Sequence, residues 1–542
     1  MSAFQSVYDA LQAAVDQWAD HPFLNVLPET ASLYAIEPGE ISYAAMLDAT
    51  QRRMQSFQKS GVGAGHRIGV LVENRPVFFE IWFALNALGA SIVPINPDLR
   101  QAELEYLMDH SEMIAAIVLP QRQAEIVAAV KAIGKSLLVI TPDQSLPPLA
   151  EHRAPCLARA VDDECALLYT SGTTGKPKGC ILSNRYYLNN GLWYNEAGGL
   201  MPIRPGQERM LTPLPLFHMN AMATSTMAMM MSGGCLTVLD RFHPKTWWDS
   251  VRAARATIVH YLGVMPPMLM SAPPVAQDKD HHVIFGFGAG VHKTLHGPFE
   301  ERFGFPLIEA WAMTETGGAV IIAANREPRH LGISCIGRAD AQTDLRIIRE
   351  DGSECDVNEA GELLVRRRGG APRQGFFKAY LKDPDATEEA WQGGYFHTGD
   401  VVRRDHEGYI YFVDRRKNVI RRSGENIAAV EVESALQQHP AVAAAAVAAV
   451  PDLVRGDEVF ACIILRDPPT RLEDKKQLAE QIVQHALGAL AYYKAPGYIA
   501  FVSSLPVTAT QKVQRSTLKD LVASLVDHPE TFDLRAMKKR TA

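Results

Sequence analysis

The sequence has no C-x-x-C pair, no basic amino-terminal stretch ahead of an apolar core, and no internal repeat at a fixed period. Its seven cysteines, Cys156, Cys165, Cys180, Cys235, Cys335, Cys355 and Cys462, are an odd number scattered along the chain. That pattern excludes a disulfide framework and a zinc site built on paired cysteines, and it suits a reducing compartment. MSAFQSVYDALQAAVDQWADHPF carries acids early and reads as no secretory signal, so a cytoplasmic location is expected. An excess of positive charge is missing as well: the net charge of −7 argues against a general nucleic-acid binder. So is an unbroken apolar run of membrane length. The nearest approach, MLTPLPLFHMNAMATSTMAMMMSGGCLTVL (210–239), is interrupted by Pro213, Pro215, His218, Asn220 and Gly233-Gly234. It reads as a buried helix beside a pocket, not as a membrane span, and its methionines suit an apolar acyl site.

What is present is ordinary in bulk and informative in order. A chain of 542 residues exceeds what one core serves, so two or more domains are expected. Its 47% hydrophobic and 21% charged residues are those of a globular protein. RIGVLVEN (67–74), AAIVLP (115–120), LLVI (137–140), CALLYT (165–170), TIVHYL (257–262) and VIFGFG (283–288) read as strands, and VFFEIWFALNALGA (77–90) as a helix. Strands alternating with helical stretches predict an α/β class, a large amino-terminal domain with parallel sheets and covering helices. The character changes near YIYFVDRRKNVIRRSGEN (409–426), which puts a boundary at 414–418. The expected domains are 1–414 and a small α+β domain over 415–542.

LLYTSGTTGKPKG (167–179) packs hydroxyls and glycines against two lysines directly after a strand-like run. It is not a P-loop: five residues before Gly175 stands Thr170 instead of glycine, and Pro177 follows Lys176 where a magnesium-binding hydroxyl is needed. Thr170, Ser171, Thr173 and Thr174 offer hydroxyls, Gly172 lets the backbone approach an oxyanion, and Lys176 and Lys178 bring positive charge. A solvated turn is the plain alternative, and the loop alone does not decide between the two.

In this order and company the motif resembles the phosphate loop of the adenylate-forming superfamily of acyl-CoA synthetases, adenylation domains and luciferases. Further segments match in sequence over about residues 165–515: PLFHMN (215–220), GFGAG (286–290), EAWAMTETGG (309–318), GGYFHTGD (393–400), RSGENI (422–427) and LPVTATQKVQRSTLK (505–519). The likeness is greatest to bacterial ligases of the crotonobetaine/carnitine–CoA type. The resemblance implies ATP and AMP binding by Thr170, Ser171, Gly172, Thr173, Thr174, Lys178, Gly288, Ala289, Gly290, Glu309, Ala310, Trp311, Thr314, Asp400, Arg415 and Lys512. It implies that Glu315 holds Mg²⁺, which a carboxylate beside a triphosphate requires. His218, Met222 and Gly288 would border the acyl group, Asp400 would accept from the ribose hydroxyls, and Gly424 would flank a CoA tunnel. Lys512, with His218 and Thr314, would serve the first step, and Lys417 stands at the hinge position between the domains. Three departures stand out. Trp311 and Ala312 replace the usual Tyr-Gly, Gln511 replaces the glycine before the lysine, and Ala429 stands where proline is common.

The function this implies is an ATP-dependent carboxylate–CoA ligase acting through acyl-AMP, with coenzyme A as co-substrate and a small-to-medium, largely apolar acid as substrate. A crotonobetaine/carnitine-type acid, an acyl-AMP ligase loading a separate carrier protein, luciferase-type oxygenation and a silent acyl- or nucleotide-binding protein are the alternatives. The expected partners are the carboxylic acid, ATP and CoA, with no nucleic acid and no membrane span, and a homodimer is left open.

Overall fold

The computed structural model describes residues 4–150, 153, 160–170, 176–415, 419–506 and 513–539. The chain divides into two compact units. The larger comprises Met1–Pro97, Met108–Leu168 and Gly179–Asp414; the smaller comprises Asp98–Leu107, Tyr169–Lys178 and Arg415–Ala542.

An eight-stranded sheet dominates the larger unit, in the spatial order 322–323, 307–311, 285–289, 258–262, 209–212, 235–238, 22–26, 39–42. Its six inner strands are parallel and its two edge strands antiparallel. Inner strands such as Cys235–Val238 and Ser91–Pro94 are buried throughout, as sheets covered on both faces require. A seven-stranded sheet holds the strands Glu164–Thr170 and Lys178–Ser183 as neighbours, with parallel pairing from Ser91–Pro94 to Leu138–Ile140. The helix Pro76–Ala87 is buried from Phe78 almost without interruption to Ala87, and its all-round apolar sequence is that of a core helix. A third sheet, five-stranded, contains the long strand Phe396–Arg404.

The smaller unit is α+β. A hairpin of Val419–Arg422 and Glu425–Ala428 leads into the helix Ala429–Gln437 and then a long antiparallel pair, Val442–Asp452 with Gly456–Leu465. Three charged side chains meet in its interior. Glu458 accepts from Arg422 Nε at 2.8 Å and from Lys538 Nζ, and all three are buried. Among the described residues no helix is long and apolar enough to cross a membrane.

Candidate functional site

Four neighbouring parallel strands of the large sheet, Arg209–Thr212, Ile258–Leu262, Phe285–Ala289 and Leu307–Trp311, end on the same side. The segments that leave their carboxyl ends carry His218, Gly290 and the run Trp311–Glu315. Ligands of open parallel sheets bind at this edge, so strand topology gathers residues that lie up to about a hundred positions apart.

The strand Phe285–Ala289 turns sharply at Gly290 (φ +84°). A Cβ on Gly288 would come within 2.2 Å of the Tyr261 carbonyl oxygen, so only glycine allows the two strands to lie this close. Glu309 fastens the turn. Its carboxylate accepts from the Gly290 and Val291 amides at 3.0 and 2.9 Å and from the Tyr261 hydroxyl at 3.0 Å. Burial pushes its pKa above the usual carboxylate range, against the pull of those donors.

Trp311 ends its strand, buried next to Ala310, and its indole Nε1–H donates to Asp400 Oδ2 at 2.8 Å. Asp400 belongs to the strand Phe396–Arg404 and is fully buried. The indole therefore links the end of one sheet to a carboxylate of another.

Thr314 is half-buried on the turn after Trp311, and Glu315 follows it, 8% exposed. Glu315 Oε1 accepts from the Tyr380 hydroxyl at 2.9 Å, and burial together with this carboxylate raises the Tyr380 pKa. The Tyr186 hydroxyl, within electrostatic reach of Glu315, is buried with no hydrogen-bond partner among the described residues. Mg²⁺ keeps most of its waters and takes one or two carboxylates beside substrate phosphates. One carboxylate with an oriented oxygen and an orphaned hydroxyl near it fits that ion. Among the described residues no group of three or more His, Cys, Asp or Glu side chains forms a cage.

His218 is half-buried, its ring against Phe217 (4.5 Å between centroids), just before the helical segment opens. The sequence places a buried helix within 210–239. The structure has a π-helix over Asn220–Ser225 and an α-helix only from Thr226 to Ser232. The cause is local: the Thr226 amide and hydroxyl both reach the Ala221 carbonyl, and the Ser225 hydroxyl donates to the Asn220 carbonyl at 3.1 Å. π turns of this kind concentrate at functional sites. Met222 is fully buried, its sulfur accepting from the Tyr187 hydroxyl at 3.6 Å, so it packs into the core under the helix.

Beneath the π-helix lies a group that the motifs do not announce. His260 Nδ1 is 2.8 Å from Asn220 Oδ1 and 2.9 Å from Ser225 Oγ, and its Nε2 is 2.9 Å from the Tyr194 hydroxyl. Burial lowers the His260 pKa to about 3, so the ring is neutral. The Asn220 oxygen can only accept, which puts the proton on Nδ1 and leaves Nε2 to accept from Tyr194. The available signal was a histidine inside the apolar run TIVHYL, where a buried polar group must find partners. Tyr380 was equally unannounced, one hydroxyl closing GFFKAY.

Thr170 closes the strand Glu164–Thr170, and Lys178 opens Lys178–Ser183. Ser171, Gly172, Thr173, Thr174, Lys417 and Lys512 lie outside the described residues. Arg415 ends the strand Ile410–Arg415. Gly424 (φ +89°) and Ser423 (φ +52°) form the two-residue turn of the hairpin, with Arg422 paired to Glu425. Positive φ at both central residues is a type I′ turn, which by itself calls for glycine.

Comparison with known proteins places these features in context. The AMP-binding enzyme family profile matches residues 11–380, and the AMP-binding enzyme C-terminal domain profile matches 431–512. A sulfoacetate–CoA ligase of Cupriavidus necator is 31% identical over 523 residues, spanning 94% of this chain and 98% of that protein. A crotonobetaine/carnitine–CoA ligase of Escherichia coli O157:H7 is 28% identical over 496 residues, spanning 88% and 93%. Among solved structures, an o-succinylbenzoate CoA synthetase from Bacillus subtilis superposes with a TM-score of 0.80 at 24% identity, covering 95% of this chain and 98% of that one. An amide bond synthetase from Marinactinospora thermotolerans gives 0.77 at 21% identity, covering 94% and 99%.

Proposed function

Because this chain belongs to the AMP-binding enzyme family, we propose that it is an ATP-dependent carboxylate–CoA ligase working in two steps through an acyl-adenylate. The observation that carries the reading is the convergence of His218, the Gly288–Gly290 turn and Thr314–Glu315 at the carboxyl ends of four adjacent parallel strands.

In the first step a carboxylate oxygen of the acid attacks the α-phosphorus of ATP. A P–O bond forms to the acyl group, the bond to the β-phosphate oxygen breaks, and pyrophosphate leaves with the electron pair. Glu315 holds the magnesium ion that ATP brings, and that ion supplies charge neutralisation for the phosphates. Tyr380 keeps the Glu315 carboxylate turned by its hydrogen bond. The hydroxyls and amides of 170–174 receive phosphate oxygens, with Lys178 at the rim. Thr314 contacts the α-phosphate, and Ala310 and Trp311 border the adenine. Asp400 accepts from the ribose hydroxyls and Arg415 assists there. His218 lies against the acid's carboxylate, and Lys512 bridges that carboxylate and the α-phosphate as charge moves toward pyrophosphate. In the second step the CoA thiolate attacks the acyl carbon, a C–S bond forms, and AMP departs. The smaller domain turns about Lys417 between the steps, withdrawing Lys512 and bringing the Gly424 hairpin to flank the pantetheine arm.

The favoured acid is small to medium and largely apolar. No Asp, Glu, Lys or Arg occurs from Met210 to Leu239, the stretch that leaves the first of the four strands. A quaternary ammonium acid would call for an aromatic cage, and a sulfonate for a countercharge.

The direct test is pyrophosphate release from MgATP across a panel of acids that includes short alkanoates, alicyclic acids, crotonobetaine and sulfoacetate, with and without CoA. Acid-dependent release with thioester detected by mass is expected. Adenylate without thioester would move the reading to a carrier-protein acceptor. Lys512→Ala is expected to slow adenylation by about 10² or more while sparing thioester formation from supplied acyl-AMP. Equal loss in both steps would overturn the two-conformation scheme.

A further inference from the structure

Trp311 stands where the family resemblance places an adenine-bordering aromatic, yet it is only 6% exposed and offers little ring surface. What it does offer is direction. The indole N–H is a donor only, fixed in the ring plane, and it points at Asp400 Oδ2 from 2.8 Å. Asp400 is buried, its own amide held by the Thr398 hydroxyl at 3.0 Å, and Thr398 in turn donates to the Leu363 carbonyl at 2.7 Å. The backbone around the carboxylate is thus fixed within one sheet, while one of its oxygens is fixed from another.

A buried carboxylate must be met by donors that also set its rotamer. Phenylalanine at 311 supplies none. Tyrosine carries its hydroxyl at the far tip of the ring, beyond the position of an indole nitrogen, and cannot place a donor at the same point. The tryptophan that departs from the expected Tyr-Gly therefore has a local physical cause.

We infer that Trp311 is a positioning residue for nucleotide recognition: its indole N–H fixes Oδ2 of Asp400 and so sets the carboxylate for the ribose hydroxyls. This rests on the reading of Asp400 as the ribose acceptor. Trp311 acts through Asp400, so its loss should be felt at the ribose, and not at the acid or at the phosphates.

The test is titration calorimetry of MgATP and Mg-2′,3′-dideoxy-ATP with the unaltered chain, Trp311→Phe and Trp311→Tyr. Both variants keep a ring of similar bulk and lack the indole N–H, so a folding defect in one does not close the question. Hydrogen bonds to a charged group are each worth about 10- to 100-fold in binding, so the unaltered chain should lose at least about 100-fold when both hydroxyls are removed. In the variants that penalty should shrink to less than about 10-fold, with ATP affinity falling toward that of the analogue. In turnover, the KM for ATP should rise by about 10-fold while the KM for the acid stays within about twofold. In an Asp400→Asn background, Trp311→Phe should add nothing further. A full ribose penalty retained in both variants would overturn the inference even if ATP affinity dropped, since that drop would then be lost ring packing. Equal binding of the two nucleotides by the unaltered chain would remove the ribose role from Asp400 itself, an outcome recognised without any variant.

Discussion

Glu309 illustrates how much one residue's position in a motif leaves unsaid. The resemblance of EAWAMTETGG implies a place beside the nucleotide; its geometry commits the carboxylate to Gly290, Val291 and Tyr261. Glu309→Ala would strip three buried hydrogen bonds, a loss of about 3 kcal/mol at roughly 1 kcal/mol each. Denaturant titration should register it as a lower midpoint at unchanged m-value, and Glu309→Gln, which keeps an acceptor oxygen, should cost less. A substitution there that left stability intact would detach the carboxylate from the turn. Tyr380→Phe makes a complementary case. Without the donor, Glu315 loses one constraint on its rotamer, and the Mg²⁺ concentration giving half-maximal rate should rise several-fold while the KM for the acid holds. Motif spacing can identify such side chains as polar and near a ligand. It cannot say which way they turn, because that is decided by strands far away in the sequence.

At the scale of elements, two contrasts separate what the sequence declares from what folding adds. The strands 115–118, 138–140 and 258–262 are legible as apolar runs bounded by polar residues. AVAAAAVAAV is not: alanine is the strongest helix former, yet Val442–Asp452 is a strand. Val442, Ala445 and Val447 enter one buried cluster while Ala446, Ala448 and Val450 enter another, so a sheet filled from both faces overrides propensity. The π-helix was hidden for a related reason, since its register depends on hydroxyls and on His260 below it. That histidine makes a pH prediction. Its folded pKa, about 3, lies below the ordinary 6.5, so the unfolded chain binds the extra proton in between and stability rises with pH across that window. Its contribution is complete above about 6.5 and is lost as pH falls toward 3. Between pH 7.5 and 5.5 the chain should lose about 1.4 kcal/mol from this group. That part of the slope should vanish in His260→Gln, leaving what His110, His281, His439 and His296 contribute, and an unchanged slope in that variant would remove it from His260.

The whole molecule is two units with separate interiors, and heat should unfold it in more than one step. In the smaller unit Lys538 and Arg422 meet on Glu458, and burial, with the Arg422 charge adding to it, lowers Lys538 to about 7. Lys538→Met leaves a buried carboxylate with one cation fewer and should cost about 3 kcal/mol. Calorimetry should then show a single transition moving, that of the smaller unit; a shift of both would tie the triad to the larger core. The boundary expected near residue 414 rests on a basic run that ends the alternation of apolar segments, whereas the smaller unit also takes in Asp98–Leu107 and Tyr169–Lys178, which no change of composition marks. The triad was not legible either, for its members lie at 422, 458 and 538 and no spacing links them.

A π turn uses one residue more than an α-helix of the same rise. Deleting one residue between Ala221 and Ser225 would let an ordinary i→i−4 ladder close with the flanking chain nearly in phase, because the wide turn absorbs its extra residue within one revolution. What such a deletion takes away is the wide turn itself, and with it the Asn220 and Ser225 oxygens that now meet His260. A one-residue gap in this segment therefore reaches a buried histidine on another strand with no side chain exchanged there.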